Sequence, residues 1–489
     1  MVLKDKKKII LTTINAKWIH PSLALRLLKA NLGPLEDSCE IIEFALRQPL
    51  AEKLEPLLAA FASSSAEADD CVCILGISVS IWNHLAVIEL LEELNKTWSA
   101  SPRQTAPIIK PVIVFGGPEV SYLPPDSEIF KFADYVIRGE GETAFRLLCE
   151  DILQGEQNNL RTIINAEHNN LNEIKSAYHL YTDEDLAKKL IYVEASRGCA
   201  FNCDFCLSAI DSTVREFPLD HFLSGMDILI QRGVKTFKFL DRSININIKR
   251  TIQICEFFLD KIENLSAPPR HSQGLVVHFE MVPSIFPHEL LDVLFRFPPG
   301  TLRLEIGIQT FNSEVAARIG RISKPEKEQE ALCLLRQKTG AIIHADLIAG
   351  LPGEDLVSFG KGFDRLWSAL SGGLPLGRAE IQLGILKLLP GAPLSRHNET
   401  FGMRYNSRPP YEVLETSVMS EDDLNRIKNF SRFWELIVNR GLLPEKVNNE
   451  WLSFDNFLNL SDKLFSCFGR NWGIDKAELL EAVSGLTGK

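Results

Sequence analysis

The sequence of 489 residues lacks any run apolar enough to span a bilayer. Its longest apolar-rich stretch, Cys71 to Trp82, falls far short of the ~20 residues that a crossing requires. It also lacks an excess of basic charge: 53 Lys and Arg face 64 Asp and Glu, for a net charge of −11. That balance argues against a protein that wraps nucleic acid, which needs basic surface to displace counterions. There is no low-complexity tract and no internal repeat, and a composition of 45% hydrophobic and 24% charged residues excludes disorder, collagen-like repeats and coiled coil. No signal peptide is expected either. The apolar run Ile9-Ile10-Leu11 after the lysine-rich start is broken by Thr12, Thr13, Asn15 and Lys17 before an h-region can form. The expectation is a cytoplasmic, reduced protein with neither membrane nor nucleic acid as partner, long enough for about three domains.

Cysteine is present ten times, but not in the pattern of a secreted disulfide scaffold, which is short and evenly studded. Seven cysteines are scattered, mostly in apolar stretches such as Cys71-Val-Cys73-Ile-Leu, and read as small buried hydrophobes. The other three fall within eight residues and need their own explanation.

The first 155 residues alternate short β-like runs with helical stretches. Ile9–Ile14, Glu40–Phe44, Val72–Val79, Val112–Phe115 and Tyr135–Ile137 read as strands, and largely apolar runs of that length suit parallel strands buried on both faces. Leu23, Ala24, Leu27 and Leu28 recur at helical spacing and stop at Gly33-Pro34, and Phe145, Leu148, Cys149 and Ile152 form a second stripe. The pattern predicts a doubly wound, flavodoxin-like (Rossmann-type) α/β domain over residues 1–155. Ligands of such a domain bind beyond the carboxyl ends of the strands. There the sequence puts His20, Ser78 and Ser80, Trp82-Asn83-His84, Gly116-Gly117-Pro118-Glu119 and Gly139-Glu140-Gly141-Glu142. Paired glycines let a backbone approach a bulky ligand, so this edge is expected to hold a sizeable cofactor.

Residues 156–188, rich in Asn, Glu and Lys, read as a polar linker. Six further strand-like runs follow: Ile191–Ala195, Thr236–Leu240, Leu275–Met281, Leu302–Gln309, Ile342–Ile348 and Ile381–Leu388. Their starts lie 27 to 45 residues apart with helical stretches between them. Six βα units over 189–390 predict a partial (β/α)6 barrel, because a complete eight-unit barrel needs ~250 residues. From 391 to 489 helical patterns dominate, with Ile427, Phe430, Phe433 and Trp434 on one stripe, and predict a small helical domain.

The three clustered cysteines lie in Cys199-Ala-Phe-Asn-Cys203-Asp-Phe-Cys206, after the first barrel strand at its carboxyl end, where barrel active sites lie. Three thiolates at this spacing suit three irons of a [4Fe-4S] cluster, and with no fourth cysteine nearby one iron stays open to a ligand. A structural zinc site wants four ligands, usually in C-x-x-C or H-x-x-x-H pairs, and no nearby histidine completes one. The C-x-x-x-C-x-aromatic-C spacing, with Phe205 as the aromatic, resembles the signature of the radical S-adenosylmethionine (SAM) superfamily. The resemblance implies that the open iron binds the amino and carboxylate groups of SAM. An electron from the cluster then cleaves SAM to methionine and a 5′-deoxyadenosyl radical. It also implies cofactor contacts at other strand ends. Asp241, in Phe239-Leu-Asp241-Arg242, stands where the methionyl amine is held, although the usual Gly-Gly-Glu is absent. Glu280 ends the third strand, Glu305 and Gln309 lie where the ribose is met, and His344 to Glu354 cover the strand and loop that neighbour the adenine. Alternation puts Glu305, Gly307 and Gln309 on one face. Each carboxylate has a plainer alternative, a structural pairing with a nearby Arg or Lys.

A doubly wound domain ahead of such a barrel resembles the cobalamin-binding radical SAM enzymes. In these a serine on the third strand and paired glycines after the fourth admit the nucleotide tail of the corrinoid, and Ser78 or Ser80 and Gly116-Gly117 match by position. The Asp-x-His-x-x-Gly motif that supplies a cobalt-ligating histidine elsewhere is missing, so no histidine ligand to cobalt is expected. The helical tail resembles the uncharacterised C-terminal extension of one subgroup, expected to cap the barrel and shape a substrate pocket. The resemblance implies foremost a methyltransferase acting on an unactivated carbon of a small molecule or peptide. Its cofactors would be a [4Fe-4S] cluster, SAM and cobalamin, and its partner an electron donor such as a flavodoxin or ferredoxin. The alternatives are rearrangement or cyclisation with the same cofactors but no methylation, and a non-catalytic iron–sulfur redox or sensor protein.

Overall fold

In the computed structural model, the described residues are 7–62, 72–100, 109–155, 162–265, 274–371, 379–442 and 449–487. Cys71 and the first residues of the expected linker, 156–161, lie outside them. The apolar runs of the first 155 residues form strands β1 (Lys7–Asn15), β2 (Cys39–Ala45), β3 (Val72–Ser78), β4 (Val112–Gly116) and β5 (Tyr135–Arg138). With β6 (Thr162–Asn165) they make a sheet in the order β2-β1-β3-β4-β5-β6, and every pairing is parallel. The first five strands have the flavodoxin-like order. The sixth comes from the segment read as a polar linker, whose short Thr162-Ile-Ile-Asn165 run pairs with β5.

Helices α1 (Leu23–Ala30), α2 (Leu50–Phe61), α3 (His84–Ala100) and α4 (Gly141–Leu153) cover this sheet. On one face Ile10, Leu75, Ile77 and Phe115 pack with Leu57, Leu90 and Leu94 of α2 and α3. On the other, Ile9, Leu11, Ile74 and Val114 pack with Leu25, Phe145 and Leu148 of α1 and α4. Burial on both sides is why these strands read as continuous apolar runs. Helix α5 (Asp183–Lys188) starts at a Thr182–Asp185 capping box. Its Asp185 lies 2.7 Å from the buried guanidinium of Arg26, which also meets Glu43 at 2.8 Å. These charge-assisted hydrogen bonds tie residues beyond the sheet to α1 and β2.

The chain divides into two compact units, residues 1–193 with 216–234 and residues 194–215 with 235–489. The second sheet consists of β7 (Ile191–Val193), β8 (Thr236–Phe239), β9 (Val276–Met281), β10 (Leu302–Gln309), β11 (Ile342–Ala349) and β12 (Ala379–Ile385). Its order, β12-β11-β10-β9-β8-β7, follows the sequence, as in the expected partial (β/α)6 barrel. Between the strands run α6 (Leu219–Gln231), α7 (Ile248–Leu265), α8 (His288–Leu294), α9 (Ser313–Arg318), α10 (Pro325–Lys338) and α11 (Leu356–Ser371). Burial alternates along β8 to β11. Phe237, Phe239, Val277, Phe279, Leu304, Ile306, Ile343 and Ala345 are fully buried. The half-buried alternate set is polar: Lys238, His278, Glu280, Arg303, Glu305, His344 and Asp346 line the lumen.

Beyond β12 the chain is mainly helical, with α12 (Glu421–Trp434), α13 (Phe454–Phe468) and α14 (Lys476–Leu486). It also holds two short antiparallel strands, β13 (Arg404–Tyr405) and β14 (Val413–Glu415), too brief to leave a period-2 signal. This region covers the edge of β12. Asn439 donates to the Ile381 carbonyl at 3.0 Å and accepts from its N–H at 3.3 Å, and Ser431 Oγ donates to the Leu383 carbonyl at 3.0 Å. An aromatic cluster joins it to α11, where the Phe363 ring lies 5.0, 4.8 and 5.8 Å from those of Phe430, Trp434 and Phe454. Cys39, Cys73, Cys149 and Cys255 are buried, as the apolar contexts implied, whereas Cys467 is exposed. Among the described residues no helix is long and apolar enough to cross a membrane.

Candidate active site

Cys199, Cys203 and Cys206 lie in an irregular loop after β7 that ends in a 3₁₀ turn at Leu207–Ile210. Gly198 begins the loop at φ +90°, where a Cβ would collide with the Thr213 carbonyl. Gly320, at φ +66°, lets the loop approach the end of α9, since a Cβ there would lie 2.6 Å from the Asn202 carbonyl. The Asp204 N–H donates to the Ile319 carbonyl at 2.9 Å. The buried Asp204 carboxylate lies 2.7 Å from His397 Nε2 and 2.6 Å from Arg396. The loop is therefore held on both sides of Cys203.

Cys203 is buried, while Cys199 and Cys206 are half-buried. Cys199 Sγ lies 3.6 Å from Ser243 Oγ, and Arg321 Nη1 lies 3.8 Å from Cys203 Sγ. Burial pushes the Cys203 thiol up, and the Arg321 guanidinium opposes that shift. Phe205 is half-buried beside Cys206. Among the described residues no three His, Cys, Asp or Glu side chains gather around one ion position. Three soft sulfur donors spaced along one loop suit a multi-iron cluster, which is wider than a single ion.

The lumen beneath carries the other sequence-predicted residues. Asp241 is fully engaged: its carboxylate accepts from the Ala195 N–H at 3.0 Å and from Ser196 Oγ at 2.5 Å. Burial pushes it up to about 6. It thus ties the end of β8 to the residues leading into the cysteine loop. Glu305 lies 3.2 Å from His278 Nε2 and 3.1 Å from Lys238 Nζ, contacts that hold it down to about 2. The His278 ring stacks on that of His344 at 5.7 Å, and His344 in turn lies 3.2 Å from Glu380. Glu280 is 3.9 Å from Arg242 and is pushed up by burial.

Glu305, Gly307 and Gln309 share the half-buried face of β10, as alternation required. The strand then departs from regularity. Its register with β11 shifts between Gly307 and Gln309, and Gln309 takes φ +68°. The Gln309 amide folds over Gly307, where a Cβ would collide with it, and Arg321 donates to the Gly307 carbonyl. Two buried acceptors result, Gln309 Oε1 and Asp346 Oδ1, neither with a hydrogen-bond partner among the described residues. They belong to neighbouring strands, with Gly307 opposite Asp346 and Gln309 opposite Leu347. Buried acceptors left open in this way are satisfied by a ligand that donates. Asp346 is pushed up to about 8 by burial and by Glu305 and Glu280.

In the first unit, Ser78 is half-buried and Ser80 buried at the carboxyl end of β3, and neither hydroxyl has a partner among the described residues. Gly117 has φ +104°, and a Cβ there would lie 2.5 Å from the Val79 carbonyl, so the strand packing itself requires glycine. A Cβ at Gly116 would meet nothing closer than 3.9 Å, which leaves its side open. Exposed aromatic rings, Trp18, Trp82 and Tyr122, stand in the loops after β1, β3 and β4. Asn83, fully buried, donates to Thr13 Oγ1 and to the Ile14 and Ser78 carbonyls at 3.1 to 3.2 Å, locking β1 to β3. His84 Nδ1 lies 2.8 Å from Glu119 Oε1 in a buried pair. His20 Nδ1 meets the Tyr192 hydroxyl at 2.8 Å.

Sequence reasoning missed Arg321, the clasp on Asp204, the Asn83 lock and the open acceptor on Asp346. The Arg318-Ile-Gly320-Arg321 end of α9 carried a faint signal, a glycine between two arginines at a helix terminus.

Residues 193–364 match the family described as the radical SAM superfamily, and residues 399–448 match one described as a protein of unknown function, DUF4080. An uncharacterised methyltransferase of Pyrococcus horikoshii is 28% identical over 163 residues, 29% of this chain. The match spans only 36% of that relative's length. The radical SAM methyltransferase TsrM of Kitasatospora setae, with cobalamin and a [4Fe-4S] cluster bound, superposes with a TM-score of 0.58 at 16% identity over 82% of this chain and 78% of its own. The cobalamin-dependent radical SAM enzyme OxsB, with aqua-cobalamin bound, gives 0.66 at 16% identity over 98% of this chain and 75% of its own. Residues 193–364 are a radical SAM domain, and the chain around it has the fold of the cobalamin-dependent enzymes of that superfamily.

Proposed function

We propose that this chain is a cobalamin-dependent radical SAM methyltransferase acting on an unactivated carbon of a small molecule or peptide. The observation that carries the reading is the loop of Cys199, Cys203 and Cys206 in a radical SAM domain whose lumen holds two unsatisfied buried acceptors. When bound, the cluster and SAM supply a 5′-deoxyadenosyl radical, and methylcobalamin supplies the methyl group.

The chain's own residues bind and orient. Cys199, Cys203 and Cys206 hold the cluster through thiolates, and the Arg321 guanidinium 3.8 Å from Cys203 Sγ favours the deprotonated sulfur. Gln309 Oε1 and Asp346 Oδ1, unsatisfied among the described residues, would hold a bound SAM by accepting from its hydroxyl groups. Glu305 is clamped by His278 and Lys238 and keeps the wall beside Gln309 charged and fixed. Asp241 acts as a positioning residue through Ala195 and Ser196, and Phe205 directly precedes Cys206 in the cysteine loop. On the first unit, the open side of Gly116, the available Ser78 and Ser80 hydroxyls and the exposed Trp18, Trp82 and Tyr122 rings suit a corrinoid, whose ring is broad and largely apolar. Support also comes from the similar proteins: TsrM and the Pyrococcus protein are described as methyltransferases, and OxsB as cobalamin-dependent. The described cysteines form no disulfide, which suits a reducing cytoplasm where a flavodoxin or ferredoxin supplies electrons.

Anaerobic reconstitution of the wild type and of Cys203→Ala tests the reading. The wild type should form 5′-deoxyadenosine from SAM, and the variant should retain its circular dichroism yet form none. A wild type that leaves SAM intact would instead favour a redox or sensing role.

A further inference from the structure

The buried Asp204 carboxylate stands between Cys203 and Cys206 in the sequence, and its charge is met from the region after the barrel. Two consecutive residues of the turn Pro393–His397 converge on its Oδ2 atom, Arg396 Nη2 at 2.6 Å and His397 Nε2 at 2.7 Å. An ionised carboxylate only accepts, so the imidazole nitrogen donates to it. The turn is itself fixed in place. The Phe401 N–H donates to the His397 carbonyl at 3.1 Å, and the Arg318 guanidinium lies 4.6 Å from the centroid of the Phe401 ring. A Cβ at Gly353, in the loop after β11, would lie 2.9 Å from the same ring, and Arg318 donates to the neighbouring Pro352 carbonyl. Arg396 and His397 fall outside both family matches, 193–364 and 399–448.

We propose that Arg396 is a positioning residue for the iron–sulfur cluster, which acts through Asp204 to raise the reduction potential of the cluster. The proposal rests on the reading of the chain as a radical SAM enzyme. Reduction adds an electron to a cluster already held by three thiolates, and the potential of such a cluster follows the net charge around it. A buried carboxylate one residue from a ligand opposes that electron, and water screens a buried charge poorly. The Arg396 guanidinium is permanently positive, so it offsets the carboxylate in both redox states. Its own exposure does not weaken the argument, because its removal leaves the Asp204 charge buried and unmatched by any guanidinium. His397 keeps the carboxylate turned toward Arg396, since both bond the same oxygen.

The test uses the full-length protein, reconstituted anaerobically with iron and sulfide. The midpoint potential of the cluster is read by electron paramagnetic resonance during a dye-mediated reductive titration without SAM. Arg396→Gln should shift the midpoint below that of the wild type, and Arg396→Lys, which keeps the charge, should hold it near the wild-type value. Asp204→Asn, which keeps the shape and removes the charge, should shift the midpoint upward. Combined with Arg396→Gln, it should return the midpoint to the wild-type value or above, whereas a merely structural brace would gain nothing from a second substitution. An Arg396→Gln midpoint equal to that of the wild type, or one that Asp204→Asn fails to raise, would overturn the proposal. Should Arg396→Gln hold no cluster, Asp204→Asn alone decides, and an unchanged or lower midpoint there, or no cluster, would overturn it. The titration needs no SAM cleavage, so a wild type that forms no 5′-deoxyadenosine refutes the enzymatic reading without touching this readout.

Discussion

A carboxyl group inside a polar lumen keeps its proton when like charges and low exposure surround it. Asp346 is pushed up to about 8 and Glu354, by burial, to about 7, whereas Glu305 is held down to about 2 by His278 and Lys238. A carboxyl whose folded value lies above its unfolded one takes up a proton on folding. Its contribution to stability is therefore full at low pH and lost as pH rises through the folded value. Glu305 has the opposite sign and loses its contribution only below about pH 4, outside that window. The cofactor-free protein should lose stability between about pH 4 and about 8, and Asp346→Asn should shrink the loss. Thermal unfolding of both proteins at about pH 5.5 and about pH 8.5 checks this, and an equal drop in the two contradicts it. Gly198 makes a second case at this scale. At φ +90° beside the Thr213 carbonyl, alanine adds about 1–3 kcal/mol of backbone strain as well as a collision. Gly198→Ala should retain less iron per chain after reconstitution than the wild type, with unchanged circular dichroism, and wild-type iron content would refute the role given to this turn.

Elements depend on a few close approaches between them. Gly360 of α11 faces Phe454 of α13, where a Cβ would lie 2.5 Å from the ring, and that ring belongs to a packed aromatic cluster with no room to shift. Gly360→Ala should destabilise the protein by about 1–3 kcal/mol, the usual cost of overpacking, read as a lower midpoint in urea. An unchanged midpoint would mean that α11 and α13 are not held at this contact. The same scale explains what could be read from the sequence. Runs such as Ile9–Ile14 and Leu302–Gln309 announce strands because burial demands apolar residues along most of their length. Thr162–Asn165 and Arg404–Tyr405 are too short to carry such a pattern. The sequence places the last barrel strand at Ile381–Leu388, whereas it spans Ala379–Ile385, because Leu386, Leu388 and Leu389 prolong the apolar signal past the point where strand pairing ends. The cysteines were legible as a local spacing. Arg321 and His397 were not, since they reach Cys203 and Asp204 from 118 and 193 residues away in the chain.

At the scale of the whole molecule the two compact units carry complementary equipment. One offers an open sheet edge with available hydroxyls, an unobstructed glycine and exposed aromatic rings. The other offers the clustered thiols of Cys199, Cys203 and Cys206, the Gln309 and Asp346 oxygens left without a partner among the described residues, and a cavity beside the cysteine loop. The net charge of −11 remains a bound on partners and adds nothing to the chemistry. The central claim is that one chain uses a corrinoid and SAM together. Its most direct test is anaerobic incubation of the full chain with hydroxocobalamin, removal of unbound corrinoid, then reduction in the presence of SAM labelled in its methyl group. The account predicts corrinoid retained by the protein and label carried onto it. A protein that retains no corrinoid and transfers no label would contradict it.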